Sequence, residues 1–374
     1  MSNEPTKQQA GAALEGHGFY NKHSKPQHAA ARRGIELLVQ AAGRIGAEVA
    51  PLVIADYGSA EGRNSLVPMS AAVRALRQTA QAPITVVHLD RPGNDFASLF
   101  GLLHADPQSY LKAAEEVFAF ASGGSFYERM LPPGHVSLGW CAIALHWLSR
   151  VPEASGTAWP TMRSGQDRAP FARQAARDWH AFLLHRAVEL RPGGALVVVV
   201  PASDRHGRWS LAGLARQVMA TLEEMASDGT LGPGELMRML VPVYDRTLEE
   251  LRAPFADPAL GLELEEISLD HVPDPIWEAY RADGDGQGLA NGYRGFVRAA
   301  FGPSLVGALD PGRLANARLE FVNALDAGLR RRFLAEPAML CAPTVATMLI
   351  VKPATRREGA LFPPAAPSDA GKQR

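Results

Sequence analysis

Cysteine is scarce in this sequence, since only Cys141 and Cys341 occur among its 374 residues. Two isolated cysteines are too few for the disulfide framework of a small secreted domain or for a cysteine zinc site. The histidine and acidic residues also lack the spacing of a metal site or of a Ser/His/Asp triad. We therefore expect two free thiols and no bound metal.

Runs of one charge and long apolar runs are missing as well. The formal net charge is -1, and no block of lysine or arginine favours nucleic acid or an anionic membrane as the main partner. No apolar run reaches the ~20 residues that a transmembrane helix needs, and none near the start is typical of a signal peptide. The sequence predicts a cytoplasmic protein that binds a small molecule and neither nucleic acid nor membrane.

A loop with two glycines follows the first apolar run. Residues 52–57 end in Asp56-Tyr57, and Gly58 and Gly62 then give the spacing GxxxG. Such glycines let the backbone turn sharply and pass close to a ligand at the carboxyl end of a strand. The GxGxxG spacing that brings a helix N-terminus to a pyrophosphate is absent, which favours S-adenosylmethionine (SAM) over a dinucleotide. A buried strand before an ordinary turn would show a similar pattern.

A second β-rich run, residues 84–90, also ends in an acid, about one βαβ unit further along. A carboxylate at the end of this strand can accept hydrogen bonds from both hydroxyl groups of a ribose. We therefore predict that Asp90 binds the ribose of the cofactor. Alternatively, Asp90 is a helix cap or a turn residue ahead of Pro92-Gly93.

Strands and helices alternate through the first 200 residues, which predicts a parallel sheet. Helices are predicted at about 26–44 and 168–190, and buried strands at 195–200, 262–267 and 344–351. A doubly wound α/β sheet accounts for this order of elements.

After residue 204 the pattern becomes helical, over about 204–240 and again over about 274–309. Between the last strands, segment 283–288 (DGDGQG) has the acids of a calcium loop. It lacks the glutamate at the twelfth position that an EF-hand requires, so we interpret it as a flexible surface loop.

Five short blocks occur in the order found in one enzyme family. They are YNKHSKPQ at 20–27, IADYGSAEGRN at 54–64, PGNDF at 92–96, GSFY at 124–127 and LHWLSRVP at 145–152. In this order they make the chain resemble the SABATH methyltransferases. That plant-centred family includes salicylate, benzoate, jasmonate and indole-acetate carboxyl methyltransferases and the caffeine-pathway N-methyltransferases. The high usage of Ala, Gly and Arg suggests a bacterial relative.

The resemblance implies a class I methyltransferase fold, in which a doubly wound, mostly parallel Rossmann-like α/β sheet carries an α-helical cap over the substrate. It also implies SAM as the cofactor and a homodimer. The expected parts are a flexible N-terminus (1–18), a SAM-binding core (19–203), two helical insertions that form the cap (204–243 and 271–310), the remainder of the core (244–270 and 311–353) and a disordered tail (354–374).

Carried over position by position, the resemblance also implies the site residues. The implied cofactor contacts are Ser24, Gly58, Ser59, Asn64, Asp90, Arg91, Ser125 and Phe126. Gln27 and Trp147 are implied to hold the substrate carboxylate. We expect Tyr20, Ile143 and Trp209 in the substrate pocket.

The implied reaction is in-line displacement of a methyl group from the cationic sulfur of SAM by a carboxylate oxygen, which gives a methyl ester. An amide N–H from Gln27 and an indole N–H from Trp147 are neutral donors that can hold a carboxylate without neutralising it. A carboxylic acid with a pKa near ~4 is ionised at neutral pH, so no general base is needed. The expected substrate is a small apolar or aromatic carboxylic acid.

The chain departs from its plant relatives at three positions. Ile143 stands where an aromatic residue commonly precedes the tryptophan by four, Ser59 where cysteine is usual, and Arg91 where an apolar residue lies beside the adenine. Arg91 either stacks on the adenine or points outward. Helical spacing would put Ile143 and Trp147 on one face with His146 alongside. His146 then either hydrogen-bonds the substrate or packs in the pocket wall without a chemical role.

Three alternatives remain open at this point. Methylation of a nitrogen or phenol oxygen on the same scaffold would require the loss of a proton, for which His146 is the candidate base. A nicotinamide oxidoreductase shares the strand-Gly-Asp pattern but should show GxGxxG. A SAM-binding protein without catalysis would have no need of the Gln27 and Trp147 pair.

Overall fold

A computed structural model describes residues 19, 21, 30–46, 51–152, 159, 167–204, 208–341 and 344–354. The predicted flexible N-terminus (1–18) and almost all of the predicted tail lie outside the described residues. Both cysteines are buried free thiols, as expected. Among the described residues, no helix has the length and apolar character that crossing a membrane requires.

The described chain forms one seven-stranded sheet in the order β3-β2-β1-β4-β5-β7-β6. β1 to β5 pair in parallel, and β7 runs antiparallel to both β5 and β6. The predicted doubly wound, mostly parallel sheet is therefore confirmed. The strands are β1 (Leu52–Tyr57), β2 (Ile84–Asp90), β3 (Val117–Gly123), β4 (Val136–Ala142), β5 (Leu190–Pro201), β6 (Glu263–His271) and β7 (Thr344–Val351).

Helices cover both faces of the sheet and form a separate cluster beyond it. Their bounds are α1 (Arg32–Ala42), α2 (Leu66–Thr79), α3 (Phe96–Ala105), α4 (Ala169–Glu189), α5 (Ala212–Ser227), α6 (Pro233–Arg238), α7 (Leu248–Arg252), α8 (Pro275–Asp283), α9 (Gly286–Gly307) and α10 (Ala315–Ala335).

Alternate residues of β1 point to opposite faces of the sheet. Leu52 and Ile54 pack with α1, α2 and α3 in one apolar core, whereas Val53 and Tyr57 pack with α4 in another. All six residues of β1 are buried because helices cover both faces of the strand, and all of them except Asp56 are apolar or aromatic. This burial explains why the first apolar run of the sequence is continuous rather than alternating.

A third apolar cluster joins helices α5, α9 and α10 and forms the predicted helical cap. Helix α10 falls in 311–353, a range expected to belong to the core. Its residues Phe321, Leu325, Leu329 and Phe333 instead pack in the cap cluster, because they recur every four positions and so share one helix face. The other predicted domain boundaries stay predictions.

The predicted loop at 283–288 is only a short junction between two helices. Gly284 ends α8 with φ 70°, and α9 begins at Gly286. The Asp285 carboxylate accepts a hydrogen bond from the Gln287 backbone N–H at 2.9 Å. This N-cap lets the helix start in a glycine-rich segment that we expected to be a loop.

A buried ion pair on α4 holds the loop between β3 and β4, residues 124–135. Arg186 and Glu189 lie 2.8 Å apart and their side chains are fully buried. Arg186 donates hydrogen bonds to the Phe126 and Glu128 carbonyl oxygens at 2.7 and 2.8 Å.

Glu189 accepts hydrogen bonds from the Met130 backbone N–H at 2.6 Å, the Leu131 N–H at 3.1 Å and the Tyr57 hydroxyl at 2.7 Å. One ion pair therefore ties this loop to α4 and β1.

Replacing Arg186 with leucine should lower the free energy of unfolding by about 3–5 kcal/mol, because Glu189 would stay buried without its cationic partner. Urea unfolding followed by circular dichroism measures the difference. Arg173→Leu removes an exposed arginine from the same helix and should change the free energy by less than about 0.5 kcal/mol. Equal effects of the two substitutions would contradict the role assigned to the pair.

Candidate active site

A cavity of about 920 Å³ lies at the carboxyl ends of β1, β2, β3 and β4. Its size is typical of a small-molecule site, and open α/β sheets bind ligands at this edge. The structure brings nine of the predicted site residues into its lining: Gly58, Ser59, Asn64, Asp90, Arg91, Ser125, Phe126, Ile143 and Trp147.

The loop after β1 needs glycine at its first position. Gly58 has φ +86°, and a Cβ there would lie 2.6 Å from the Ala144 Cβ. The next residue, Ser59, is buried, and its Oγ has no hydrogen-bond partner among the described residues. The loop therefore packs tightly on Ala144, which also lines the cavity, and the Ser59 side chain leaves an unpaired hydroxyl at the cavity wall. An unpaired buried polar atom favours a bound polar ligand.

Asp90 is held by backbone groups on both of its carboxylate oxygens. Oδ2 accepts a hydrogen bond from the Ala60 N–H at 2.8 Å, and Oδ1 accepts one from the Arg91 N–H at 2.7 Å. Burial raises the pKa of Asp90, and these two hydrogen bonds oppose the rise. The helix cap that follows is Asp95, which accepts from the Ser98 N–H at 2.9 Å. Asp90 is thus not the cap, and each of its oxygens keeps a lone pair for a ligand.

A buried polar chain behind the cavity was not anticipated from the sequence. Asp56 lines the cavity, and its Oδ2 accepts hydrogen bonds from the Ser65 hydroxyl at 2.6 Å and from His88 Nδ1 at 2.8 Å. His88 Nε2 lies 2.8 Å from the Tyr110 hydroxyl. A neutral His88 with its proton on Nδ1 satisfies both contacts. The signal in the sequence was a histidine between the apolar residues Val87 and Leu89 of a buried strand.

The N-terminal segment touches the glycine loop at Asn21. Its backbone N–H donates to a Glu61 carboxylate oxygen, its side-chain amide donates to the Glu61 carbonyl oxygen, and its amide oxygen accepts from the Arg63 N–H, each at 3.2 Å. Tyr20, Ser24 and Gln27 lie outside the described residues, so their predicted roles stay predictions.

Trp147 lies where the sheet meets the cap. It forms an antiparallel bridge with Val243, and its ring centroid is 6.0 Å from that of Phe301 on α9. No described residue accepts a hydrogen bond from its indole Nε1–H. The helical spacing predicted for 143–147 is wrong, because Ile143 has φ 51° and the chain turns there. Ile143 and Trp147 nevertheless both line the cavity.

Two predicted site residues, His146 and Trp209, are not among the described residues that line the cavity. His146 is 7% exposed, and its Nδ1 has no hydrogen-bond partner among the described residues. Burial, reinforced by the nearby Arg246 guanidinium, lowers the pKa of His146 to about 3. Trp209 packs instead in a separate apolar cluster, where its ring meets Tyr244 edge-on at 5.2 Å. His146 is therefore unsuited to the role of general base, and Trp209 does not reach the pocket.

In a comparison with known protein families, residues 9–297 match the family described as SAM dependent carboxyl methyltransferase. The chain is 34% identical over 246 residues to the methyltransferase LUC1 of Fusarium, a match that covers 64% of this chain and 65% of that protein. It is 31% identical over 286 residues to the O-methyltransferase acrG of Aspergillus aculeatus, covering 72% and 74%. The chain thus spans just under two thirds of the first relative.

A plant enzyme is similar in sequence, and a separate solved structure is similar in fold. Gibberellic acid methyltransferase 2 of Arabidopsis thaliana is 28% identical over 291 residues, which are 70% of this chain and 74% of that protein. A solved structure of loganic acid methyltransferase with S-adenosylhomocysteine (SAH) superposes with a TM-score of 0.73 at 21% identity, covering 92% of this chain and 99% of the other. The latter likeness shows the fold.

His146 should remain neutral from about pH 5 to about pH 8 because its pKa is near 3, whereas an unperturbed imidazole titrates in that interval. Its ring signals in a histidine-selective 15N NMR spectrum should therefore not shift across the interval. The spectrum of the His146→Gln variant assigns the signal. A titration midpoint inside this interval would restore His146 as a candidate base.

Proposed function

The chain belongs to the family of SAM-dependent carboxyl methyltransferases, and from that premise we propose that it converts a small apolar or aromatic carboxylic acid to its methyl ester. The observation that carries the proposal is a single cavity whose wall includes both the loop around Gly58 and Asp90 and the ring of Trp147. A cofactor and an acid bound in one such cavity can meet without crossing solvent.

The described residues on the side of the cavity that includes Gly58 and Asp90 fit SAM. Ser59 supplies a buried hydroxyl without a partner, and Asp90 has lone pairs left for the ribose hydroxyls. The side-chain carboxyl of Asp56 is held by Ser65 and His88 and can attract the positively charged groups of the cofactor. Asn64, Ser125 and Phe126, which also line the cavity, complete the residues that would hold the cofactor. Arg91 also lines this side.

When bound, SAM supplies a methyl group on a positively charged sulfur, from which a carboxylate oxygen takes the methyl while the electron pair of the broken bond stays on sulfur. The residues of the chain then have to orient the acid and exclude water. Because the acid is already ionised at neutral pH, no side chain has to accept a proton.

We propose that the Trp147 indole N–H donates a hydrogen bond to the acid. Its Nε1–H has no acceptor among the described residues, and its contact with Phe301 places the ring beside the cap. An indole N–H is a neutral donor, so it can orient a carboxylate without neutralising it. Gln27, proposed from the resemblance as the second donor, and Ser24, proposed as a cofactor contact, both lie outside the described residues. The homodimer and the cytoplasmic location also stay predictions.

Methylation of a nitrogen or phenol oxygen is less well supported by the site. That reaction needs a proton acceptor, and the candidate base His146 is buried, lies outside the described cavity lining and has a pKa near 3. Carboxyl methylation makes no such demand on the protein. The family match also removes the nicotinamide oxidoreductase from consideration.

A panel of benzoic, salicylic, indole-3-acetic, gibberellic and loganic acids tests the function. With methyl-labelled SAM, we expect label in an organic-extractable ester for at least one acid. Trp147→Phe should raise the KM of that acid by roughly 3–10-fold, the effect of one lost hydrogen bond. Label transferred only to phenols or ring nitrogens would contradict carboxyl methylation, and an unchanged KM would contradict the role of Trp147.

Asp90→Ala should weaken SAH binding by roughly 10–100-fold, because hydrogen bonds to a charged group are worth about 1.5–3 kcal/mol. Isothermal calorimetry with SAH measures the affinity directly. Asp95→Ala is the matched control, since this carboxylate caps α3 and is not among the described lining residues. The control should lose stability but keep its SAH affinity within about twofold. An unchanged affinity of Asp90→Ala would remove Asp90 from the ribose.

A further inference from the structure

Tyr127 links the two sides of the cavity. Its hydroxyl donates a hydrogen bond to the backbone carbonyl oxygen of Trp147 at 2.5 Å, and the Leu145 carbonyl oxygen lies at 3.4 Å. Tyr127 itself lines the cavity. The two residues are 20 positions apart in the chain, so this contact exists only in the folded protein.

The position of Tyr127 is set by the β3–β4 loop. Its backbone N–H donates to the Ser125 hydroxyl at 3.2 Å, and its ring meets the Phe126 ring edge-on at 4.7 Å. Arg186 binds the carbonyl oxygens on either side of Tyr127, those of Phe126 and Glu128. Tyr127 therefore directly follows the two loop residues proposed to contact the cofactor, on backbone that a buried ion pair holds.

The backbone of Trp147 is held from the other side by residues 242–244. The Leu148 N–H donates to the Pro242 carbonyl oxygen, and the Tyr244 N–H donates to the His146 carbonyl oxygen, both at 2.8 Å. From the β3–β4 loop, the Tyr127 hydroxyl donates a hydrogen bond to the Trp147 carbonyl oxygen. Burial raises the pKa of Tyr127, so its hydroxyl remains a donor across the physiological range.

We propose that Tyr127 is a positioning residue: its hydrogen bond to the Trp147 carbonyl oxygen ties that residue to the β3–β4 loop and fixes the Trp147 indole for the acid. This inference rests on the proposed function, because it assumes that Trp147 binds the carboxylate. Without the hydroxyl, the Trp147 carbonyl oxygen loses its hydrogen bond to the β3–β4 loop. The indole can then rotate, so that its N–H no longer points at the bound acid. Tyr127 acts through Trp147 and does not itself have to touch the acid.

A double-mutant cycle tests this proposal, with Tyr127→Phe, Trp147→Phe and the double variant. The probe is the panel acid with the highest turnover, titrated by calorimetry into SAH-loaded enzyme. Tyr127→Phe should raise the dissociation constant of the acid by roughly 3–10-fold while SAH affinity changes by less than about twofold. In the Trp147→Phe background the same substitution should change acid binding by less than about twofold, because residues that act as a unit are not additive.

Tyr293→Phe is the matched control for the loss of a buried hydroxyl. The Tyr293 hydroxyl donates to Asp274 and accepts from the Leu340 N–H, and Tyr293 is not among the described lining residues. This variant should lose stability without changing acid binding, which separates positioning from a general loss of folding.

The outcomes distinguish the inference from the function on which it rests. If Trp147→Phe leaves acid binding unchanged, the proposed role of Trp147 is wrong and the inference falls with it. If Trp147→Phe weakens acid binding but Tyr127→Phe does not, or if the two effects add, Tyr127 does not act through Trp147. If Tyr293→Phe weakens acid binding as much as Tyr127→Phe, the effect is one of stability.

Discussion

The buried pair of Arg186 and Glu189 is the interaction on which the cavity wall depends. A loop beside a ligand site contains backbone groups that water cannot reach, and each must find a partner within the protein. This pair satisfies two carbonyl oxygens and two N–H groups of the β3–β4 loop and the Tyr57 hydroxyl of β1. Removing either charge would leave the other buried and unpaired, so the loop and helix α4 form one unit.

The sequence could predict most of the loop residues that line the cavity at the sheet edge, because short contiguous motifs carry them; their contacts with the cofactor stay predictions. Gly58 directly follows β1 and Asp90 ends β2, and because these strands are parallel, the topology of the sheet brings both residues to the same edge. Ser125 and Phe126 follow the next strand in the same way. The resemblance to the SABATH methyltransferases, and the α/β fold that it implied, were confirmed for the same reason, since local blocks define both.

Other parts of the site depend on packing between distant segments, which local patterns do not encode. His146 adjoins Trp147 in the chain but is buried outside the described lining, because the segment turns at Ile143 rather than continuing as a helix. Trp209 has the character of a pocket residue and packs on Tyr244 instead. The partners of Asp56 and Tyr127 come from other elements of the fold, so only the three-dimensional structure reveals their roles.

Strand β7 is the last of the described strands to be synthesised, yet it lies inside the sheet between β5 and β6. This strand, Thr344–Val351, pairs with β5 on one side and β6 on the other. Among the described strands β6 pairs with no other, so it joins the sheet only when β7 arrives. During translation the ribosome must pass residue 351 before the sheet can close, and every helix of the cap is synthesised earlier. Until then the exposed edge of β5 can pair wrongly with other chains, as unpaired strand edges do in slow-folding intermediates.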